Sequence, residues 1–310
     1  MLVRAGELDM TEIVAEWPQK TRELHNHHMN STVWNDFQFR DDDVIVGTYA
    51  KSGTTWTQQI IAQLIHQGDA SVSVGETSPW WDMRAVPPEV REAVVAFPGR
   101  RILKTHLPAD ALVISPRAKY LYVGRDGRDV GWSLHNHHLN HSDFAFQLLN
   151  ETPGLVGPPL PKADPDVHRY FNFWLETDGG HHWSFSENLK SWWAVRHLPN
   201  VKLVHFANLK ADMEGEIRAI ADFLEVDVPA DRWPQVLEHC TFDWMKANAD
   251  KVAPMNGAAW NGGGETFFHK GTNGRWRDIL TPAEIATYEA TMVARLGPDC
   301  ARWLATGHGG

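Results

Sequence analysis

The sequence predicts an α/β fold, a single domain over 1–310 with a central, mostly parallel sheet flanked by helices. Three observations lead there. Four short apolar runs read as buried strands, helical periodicity fills the segments between them, and the first strand runs through a lysine- and glycine-bearing loop straight into a helix. Strands alternating with helices imply right-handed crossovers and a ligand site beyond the carboxyl ends of the strands. With 310 residues, 43% of them hydrophobic and 22% charged, the chain can bury a full core and has the balance of an ordinary globular enzyme.

The four runs are Val44–Tyr49, Arg101–Thr105, Tyr120–Gly124 and Val201–Phe206. After the first, Trp56, Ile60, Ile61, Leu64 and Ile65 recur at helical spacing, predicting a helix with one apolar face on the sheet, ended by Gly68. Two segments interrupt the alternation. The first, 140–180, holds Pro153, Pro158, Pro159, Pro161 and Pro165, and the second, 246–269, holds Gly262, Gly263 and Gly264. Both are predicted as loop insertions, which in a compact domain serve as lids or binding loops or else are disordered.

A net charge of −10 argues against the basic stripe that nucleic acid requires, while leaving room for an anion in a locally basic cleft. Cys240 and Cys300 lack the close spacing of a redox or zinc motif, which predicts a reducing compartment and no disulfide. The segment Met1 to Lys20 carries Glu7, Asp9, Glu12 and Glu16 and no signal-peptide core, and no run approaches the roughly 20 apolar residues of a membrane span. The expectation is a cytoplasmic protein with neither a membrane nor a nucleic-acid partner.

The chemistry concentrates where the predicted strands end. Val44–Tyr49 leads into Ala50-Lys51-Ser52-Gly53-Thr54-Thr55-Trp56. Backbone N–H groups at a helix start favour an anion, Gly53 permits close approach, and Lys51 adds a full charge. A capped turn would need only Ser52 or Thr54. The lysine precedes the glycine, unlike the nucleoside-triphosphate loop in which it follows the last one. The second strand ends in Lys104-Thr105-His106-Leu107-Pro108, setting a cation and an imidazole suited to general-base work at the same edge. Beyond the third strand, Arg125 and Ser133 offer a donor fork and a hydroxyl for phosphate oxygens. The alternating signs of Arg125, Asp126, Arg128 and Asp129 would also fit a surface salt-bridge cluster, with phosphate binding the favoured reading. Histidines gather at His25, His27 and His28, at His135, His137, His138 and His141, and at His181 and His182. Neighbours in sequence need not converge on one metal, and no His-Glu-x-x-His helix pattern occurs, so no metal is predicted.

Tyr49 and Lys51 through Trp56 resemble the phosphosulfate loop of the cytosolic sulfotransferases, Tyr-Pro-Lys-Ser-Gly-Thr-Thr-Trp, with Ala50 in place of the proline. Arg125 to Ser133 is similar to that family's arginine-to-serine segment, and Lys270-Gly271-Thr272-Asn273-Gly274-Arg275-Trp276 is similar to its late Lys-Gly-x-x-Gly-x-Trp motif. The three motifs stand in the family's order. The resemblance implies a P-loop-like fold and in-line transfer of a sulfuryl group from 3′-phosphoadenosine 5′-phosphosulfate (PAPS) to a hydroxyl or amine of a small aromatic or apolar acceptor, with no metal required.

The resemblance also distributes roles. Lys51, Lys104, His106 and Ser133 would be catalytic. Lys51, Ser52, Gly53, Thr54, Thr55, Trp56, Arg125, Ser133, Thr241, Phe242, His269, Lys270 and Gly271 would bind the nucleotide, with Trp56 and Phe242 readable equally as core aromatics. His269 stands where the family has arginine, and Ser186 lies near the place of a base-contacting tyrosine. Trp80, Trp81, Phe144 and Phe146, with Phe171, Phe173 and Trp174, are candidates for an acceptor wall or for core. The family's short dimer motif is not reproduced over Arg277 to Ala286, which leaves the oligomeric state open. Two other readings stand at this point, a nucleotide-dependent small-molecule kinase, which magnesium dependence would reveal, and a nucleotide-binding scaffold without catalysis.

Overall fold

The computed structural model describes residues 17–309, so the acidic segment read above against a signal peptide lies mostly outside the described residues. Four strands, β1 (Val44–Thr48), β2 (Ile102–Thr105), β3 (Lys119–Gly124) and β4 (Val201–His205), form one parallel sheet in the order β2-β1-β3-β4. All four predicted runs are strands, with ends within a residue of the predicted ones. Every residue of β1 is buried, as expected of a parallel strand covered on both faces.

The two-residue period of a strand sorts these side chains into two cores. Ile45, Leu103, Tyr120 and Tyr122 point into a core with Leu134, Trp174, Leu189, Trp192 and Trp303. Val44, Val46, Ile102, Leu121, Val123 and Val204 point to the other face, against Ile60, Ile61 and Leu64 and the Met213–Leu224 helix. Gly47 makes the first core possible, because a Cβ there would sit 2.6 Å from the Trp192 ring.

Helix α1 (Thr54–Ile65) is more deeply buried than its apolar stripe predicts. Its glutamines are internal: Gln58 Nε2 donates to Ser78 O (2.8 Å), Gln59 Nε2 to His239 O (3.0 Å) and Gln63 Nε2 to Asp69 O (3.1 Å). Amide side chains that spend their hydrogen bonds on loop carbonyls let a polar face go inside. The chain leaves α1 through Gln67 and Gly68, both at positive φ.

The two segments expected as loops carry helices. Asp143–Glu151 and Val167–Glu176 lie in the first, their N-termini capped by Ser142 and Asp166, and Ala249–Val252 and Gly263–Phe267 lie in the second. All five prolines of the first segment lie in the irregular stretch between its two helices.

A buried ion pair fixes the amino edge of the sheet. Arg101 Nε donates to Asp43 Oδ1 at 2.7 Å with both side chains buried, and the Asp43 carbonyl accepts from the N–H of Lys119 at 2.8 Å, so the starts of β1, β2 and β3 meet at one carboxylate residue. Breaking one partner of such a pair strands the other charge. Asp43→Ala should therefore lower the unfolding free energy by about 3 to 5 kcal/mol in equilibrium urea titration; a loss below about 1 kcal/mol would show that the pair does not anchor the sheet.

Candidate active site

A cavity of about 620 Å³ opens over the carboxyl ends of β1, β2 and β3. Strand β1 has its chain successor on one side and β3 on the other, so the loops after β1 and β3 diverge and leave a crevice, the usual ligand position in an open α/β sheet. The β1 loop is held in an uncommon shape, with Lys51 at φ 67° and Gly53 at φ 116°. A Cβ on Gly53 would lie 2.8 Å from the Phe206 ring, so glycine is needed there both for backbone freedom and for space.

Among the described residues, six cationic side chains line the cavity, Lys51, Lys104, Arg125, Lys210, Lys270 and Arg275, and no aspartate or glutamate does. In a chain of net charge −10 this is a concentrated positive field. The cations rest on ring faces and neutral acceptors. Lys51 Nζ lies 4.5 Å from the Phe267 centroid and 3.2 Å from His137 Nδ1, Lys104 Nζ lies 4.3 Å from the Trp80 centroid, and the Arg125 guanidinium lies 4.3 Å from the Phe206 centroid. Desolvation, reinforced by Arg125 and Lys104, pushes the Lys51 ammonium down to about 7, and desolvation pushes Lys104 down to about 8 against the pull of Asp82. Asp82 lies just behind, accepting from Trp80 Nε1 (2.6 Å) and Trp34 Nε1 (2.8 Å), its own pKa raised to about 6 by burial.

His106 is buried among these charges, and desolvation together with Lys104 holds its pKa well below the usual imidazole value. Its Nδ1 lies 2.8 Å from the Thr48 carbonyl and 3.0 Å from Thr48 Oγ1. A carbonyl oxygen can only accept, so Nδ1 carries the proton and Nε2 keeps its lone pair. Trp183 stacks on the ring at 5.5 Å, the edge of Trp80 approaches to 4.7 Å, and Asn188 Nδ2 donates to the His106 carbonyl at 2.9 Å. The imidazole is oriented on all sides.

The sequence-predicted residues gather unevenly. Lys51, Gly53, Thr54, Thr55, Trp56, Trp80, Lys104, His106, Arg125, Ser133, Thr241, Phe242, His269, Lys270 and Gly271 all line the cavity. Ser52 does not; it is fully buried, with its N–H on Tyr49 O at 3.3 Å. Thr241 Oγ1 caps the Phe242–Ala247 helix, and Trp56 Nε1 donates to Cys240 O at 2.8 Å. Ser186 is buried away from the cavity, bonded to Asp178 at 2.6 Å.

Trp81, Phe144 and Phe146 are not wall residues. Trp80 pairs with Lys104 in an extended bridge, so its neighbour Trp81 faces the opposite way, into a core contact with Trp34 and Phe37. On the Asp143–Glu151 helix, Ala145, Leu148 and Leu149 form the cavity face at helical spacing; Phe144 is off that face and exposed, and Phe146 packs behind it on His138 and His141. Phe171 and Trp174 belong to the core, and Phe173 is exposed. The charged run after β3 is divided in role: Arg128 pairs with Asp126 (2.8 Å) over Trp276, while Asp129 accepts the Gly274 N–H at 2.9 Å.

The three histidine clusters, read from sequence as no metal site, come together at the cavity. The His28 ring lies 5.8 Å from His182, His138 lies 5.2 Å from His182, and His137 lies 4.9 Å from His141. His28, His137, His141 and His182 line the cavity with Trp183 and Trp260. Among the described residues, no group of three or more His, Cys, Asp or Glu side chains has an arrangement that could hold a metal ion. Sequence reasoning missed these imidazoles as wall residues, and missed Asp82 and Arg275, although Asp82 follows Trp80-Trp81 directly and Arg275 sits inside the late glycine motif.

Comparison with known proteins agrees with this geometry. The model of the sulfotransferase domain family matches residues 41–298. The chain is 31% identical to a glycolipid sulfotransferase of Mycobacterium bovis, covering 96% of this chain and 98% of that protein, and 26% identical to sulfotransferase 1B1 of Mus musculus, covering 90% and 93%. In fold it is similar to a mouse sulfotransferase solved with PAP, with TM-score 0.68 and 20% identity over 88% of this chain and 90% of that one. It is also similar to retinol dehydratase solved with retinol and PAP, with TM-score 0.66 and 22% identity over 86% and 84%.

Burial keeps His28, His106, His137 and His182 neutral in the fold, whereas the unfolded chain protonates them near pH 6.5. The unfolded state therefore binds more protons once pH falls below about 6.5, and stability drops with it. The depressed Lys51 and Lys104 already bind fewer protons than in the unfolded chain at pH 8 to 7, so the melting temperature should fall gently over that range and more steeply from pH 6.5 to 5; no steepening below pH 6.5 would contradict the neutral burial of these rings.

Proposed function

The chain belongs to the sulfotransferase family and is a sulfotransferase, and from that premise we propose that its donor is PAPS and its acceptor the hydroxyl of a neutral small molecule with an apolar body. The observation that carries the donor reading is the cavity at the carboxyl edge of β1, β2 and β3, which among the described residues is lined by six cations and no carboxylate. A donor with several anionic groups fits that field, and the PAP bound in the related structures agrees. The loop shape that Gly53 requires leaves the start of α1 open to an anionic group. We extend the proposal to one domain for the whole chain.

The donor supplies an activated sulfuryl group and a phosphate leaving group. Lys51 and Lys104 would hold the charge that builds on the leaving oxygen, in a site where both are already desolvated. His106, with Nδ1 fixed on Thr48, would take the acceptor's hydroxyl proton at Nε2. Ser133 and Lys270 would meet further anionic oxygens of the nucleotide.

The acceptor end supports an alcohol over an amine. A protonated amine would find no carboxylate there, while neutral imidazoles and the indoles of Trp183 and Trp260 suit hydroxyl groups. Met83, Val86, Val90, Leu148 and Leu149 add an apolar strip. A hydroxyl compound bearing a lipid or other apolar group fits both parts, in keeping with the name of the mycobacterial relatives.

The first test is calorimetry of PAP binding with and without magnesium. Magnesium-independent binding that Lys51→Ala abolishes is expected; ATP binding only with magnesium would favour the kinase reading. His106→Gln should keep PAP affinity within about threefold and lower turnover by about 10²- to 10⁴-fold. Turnover retained by this variant would exclude His106 as the base. Because anion binding raises the Lys51 and Lys104 pKa values from about 7 and about 8, PAP binding should take up protons at pH 8 and almost none at pH 6. Calorimetry in buffers of different ionisation enthalpy measures this, and equal uptake at both pH values would contradict it.

A further inference from the structure

Resting on the reading of the acceptor as an alcohol, we propose that His28 and His137 form a subsite for a second hydroxyl of the acceptor, so that the chain selects a head group with neighbouring hydroxyls, a vicinal diol or polyol, over an isolated one. The hydrogen bonds of the histidine wall fix which ring nitrogen carries each proton. His27 Nε2 lies 2.8 Å from His181 O, and a carbonyl only accepts, so that nitrogen donates and the neutral ring keeps its lone pair at Nδ1. His28 Nδ1 faces that lone pair and must donate to it, which leaves the His28 lone pair at Nε2. His137 is the reverse. Its Nδ1 receives the indole N–H of Trp260 at 3.2 Å, an indole nitrogen only donates, and the proton of the neutral ring is therefore at Nε2.

Both residues line the cavity, and among the described residues neither Nε2 meets a hydrogen-bond partner. His28 packs on the same two indoles as His106, 5.9 Å from Trp80 and 5.5 Å from Trp183, so a second lone pair stands at the end of the cavity where His106 offers its own. His137, with Nδ1 3.2 Å from Lys51 Nζ, brings an N–H donor to the strand edge. A hydroxyl is the neutral group that both donates and accepts, whereas an acceptor with one hydroxyl, spent on His106, would leave the His28 and His137 edges unpaired. The wall is already short of partners, since His141 Nδ1, His182 Nδ1 and Trp183 Nε1 are buried without one. The His28 carbonyl accepts the Arg84 N–H at 2.7 Å, which sets this polar edge next to the apolar strip that Met83 begins. An acceptor with paired hydroxyls at one end and an apolar chain at the other matches both.

The test is kcat/KM with saturating PAPS for 1,2-octanediol and 1-octanol, which share an apolar body, in wild type, His28→Phe, His28→Gln and His137→Phe. Wild type should prefer the diol by about tenfold or more. His28→Phe, which keeps a ring against the indoles without a lone pair, should bring the ratio near one, and His137→Phe should lower it as well. His28→Gln, whose amide oxygen accepts, should recover part of the preference, a rescue that a purely structural role for His28 would not give. A wild type that uses 1-octanol as well as the diol keeps the alcohol reading and overturns the proposal, as does an unchanged ratio in His28→Phe. Should that variant fail to fold, an unchanged ratio in His137→Phe overturns it. Failure of wild type to bind PAP is a different result, which removes the donor reading and this proposal with it.

Discussion

Positive charge gathered at the carboxyl edge of the sheet, with no carboxylate among the described residues that line the cavity and only partial compensation from Asp82 behind Lys104, is the constraint around which this molecule is arranged. Cations in a desolvated crevice repel one another, and proteins commonly meet that cost with counter-ions. Here the charges lean on carbonyl oxygens and ring faces. Arg125 donates to two backbone carbonyls and lies over Phe206, Lys104 lies over Trp80, and Lys51 rests between Phe267 and His137. Such partners are weaker than carboxylates, so an anionic ligand has no bound rival to displace. The depressed Lys51 and Lys104 measure how incompletely the fold compensates them.

Most of this architecture is legible in the sequence because parallel strands covered on both faces are written as contiguous apolar runs, and all four runs became strands. The residues at the strand ends, Lys51, Lys104, His106 and Arg125, were equally legible, since strand position alone carries them to the shared edge. The aromatic lining of the cavity was not. Trp80 and Trp81 are identical as letters, and only the bridge to Lys104 decides which of them faces the cavity. The burial of Gln58, Gln59 and Gln63 depends on loop carbonyls far along the chain, and no periodicity within α1 announces them. The histidine clusters meet only because separate helices and loops are folded over the same edge.

The neutrality of that histidine wall follows from the same constraint. Imidazoles placed within reach of Lys51 and hidden from water would add further positive charge if protonated, and burial prevents it, with His141 held down at about 3 and His138 at about 4. A neutral imidazole both donates and accepts, which makes the wall polar without giving it charge. His137 illustrates the gain: its Nδ1 receives Trp260 Nε1 at 3.2 Å and faces Lys51 Nζ at the same distance, so the Lys246-to-His269 segment and the β1 loop are coupled through one uncharged ring.

Arg125 extends that coupling to the nucleotide side. By donating both to Lys51 O and to Thr272 O it makes the conformation of the β1 loop depend on that of the late glycine loop, which Asp129 holds in turn through Gly274. A loop at positive φ is costly on its own and is kept in place by what surrounds it. Ligand contacts on the late loop therefore stabilise the shape in which Lys51 is presented, and the two ends of the cavity act as one binding surface. Distributing the cavity lining over two loops that share a strut lets the shape of the late glycine loop and the placement of Lys51 be set by the same interaction.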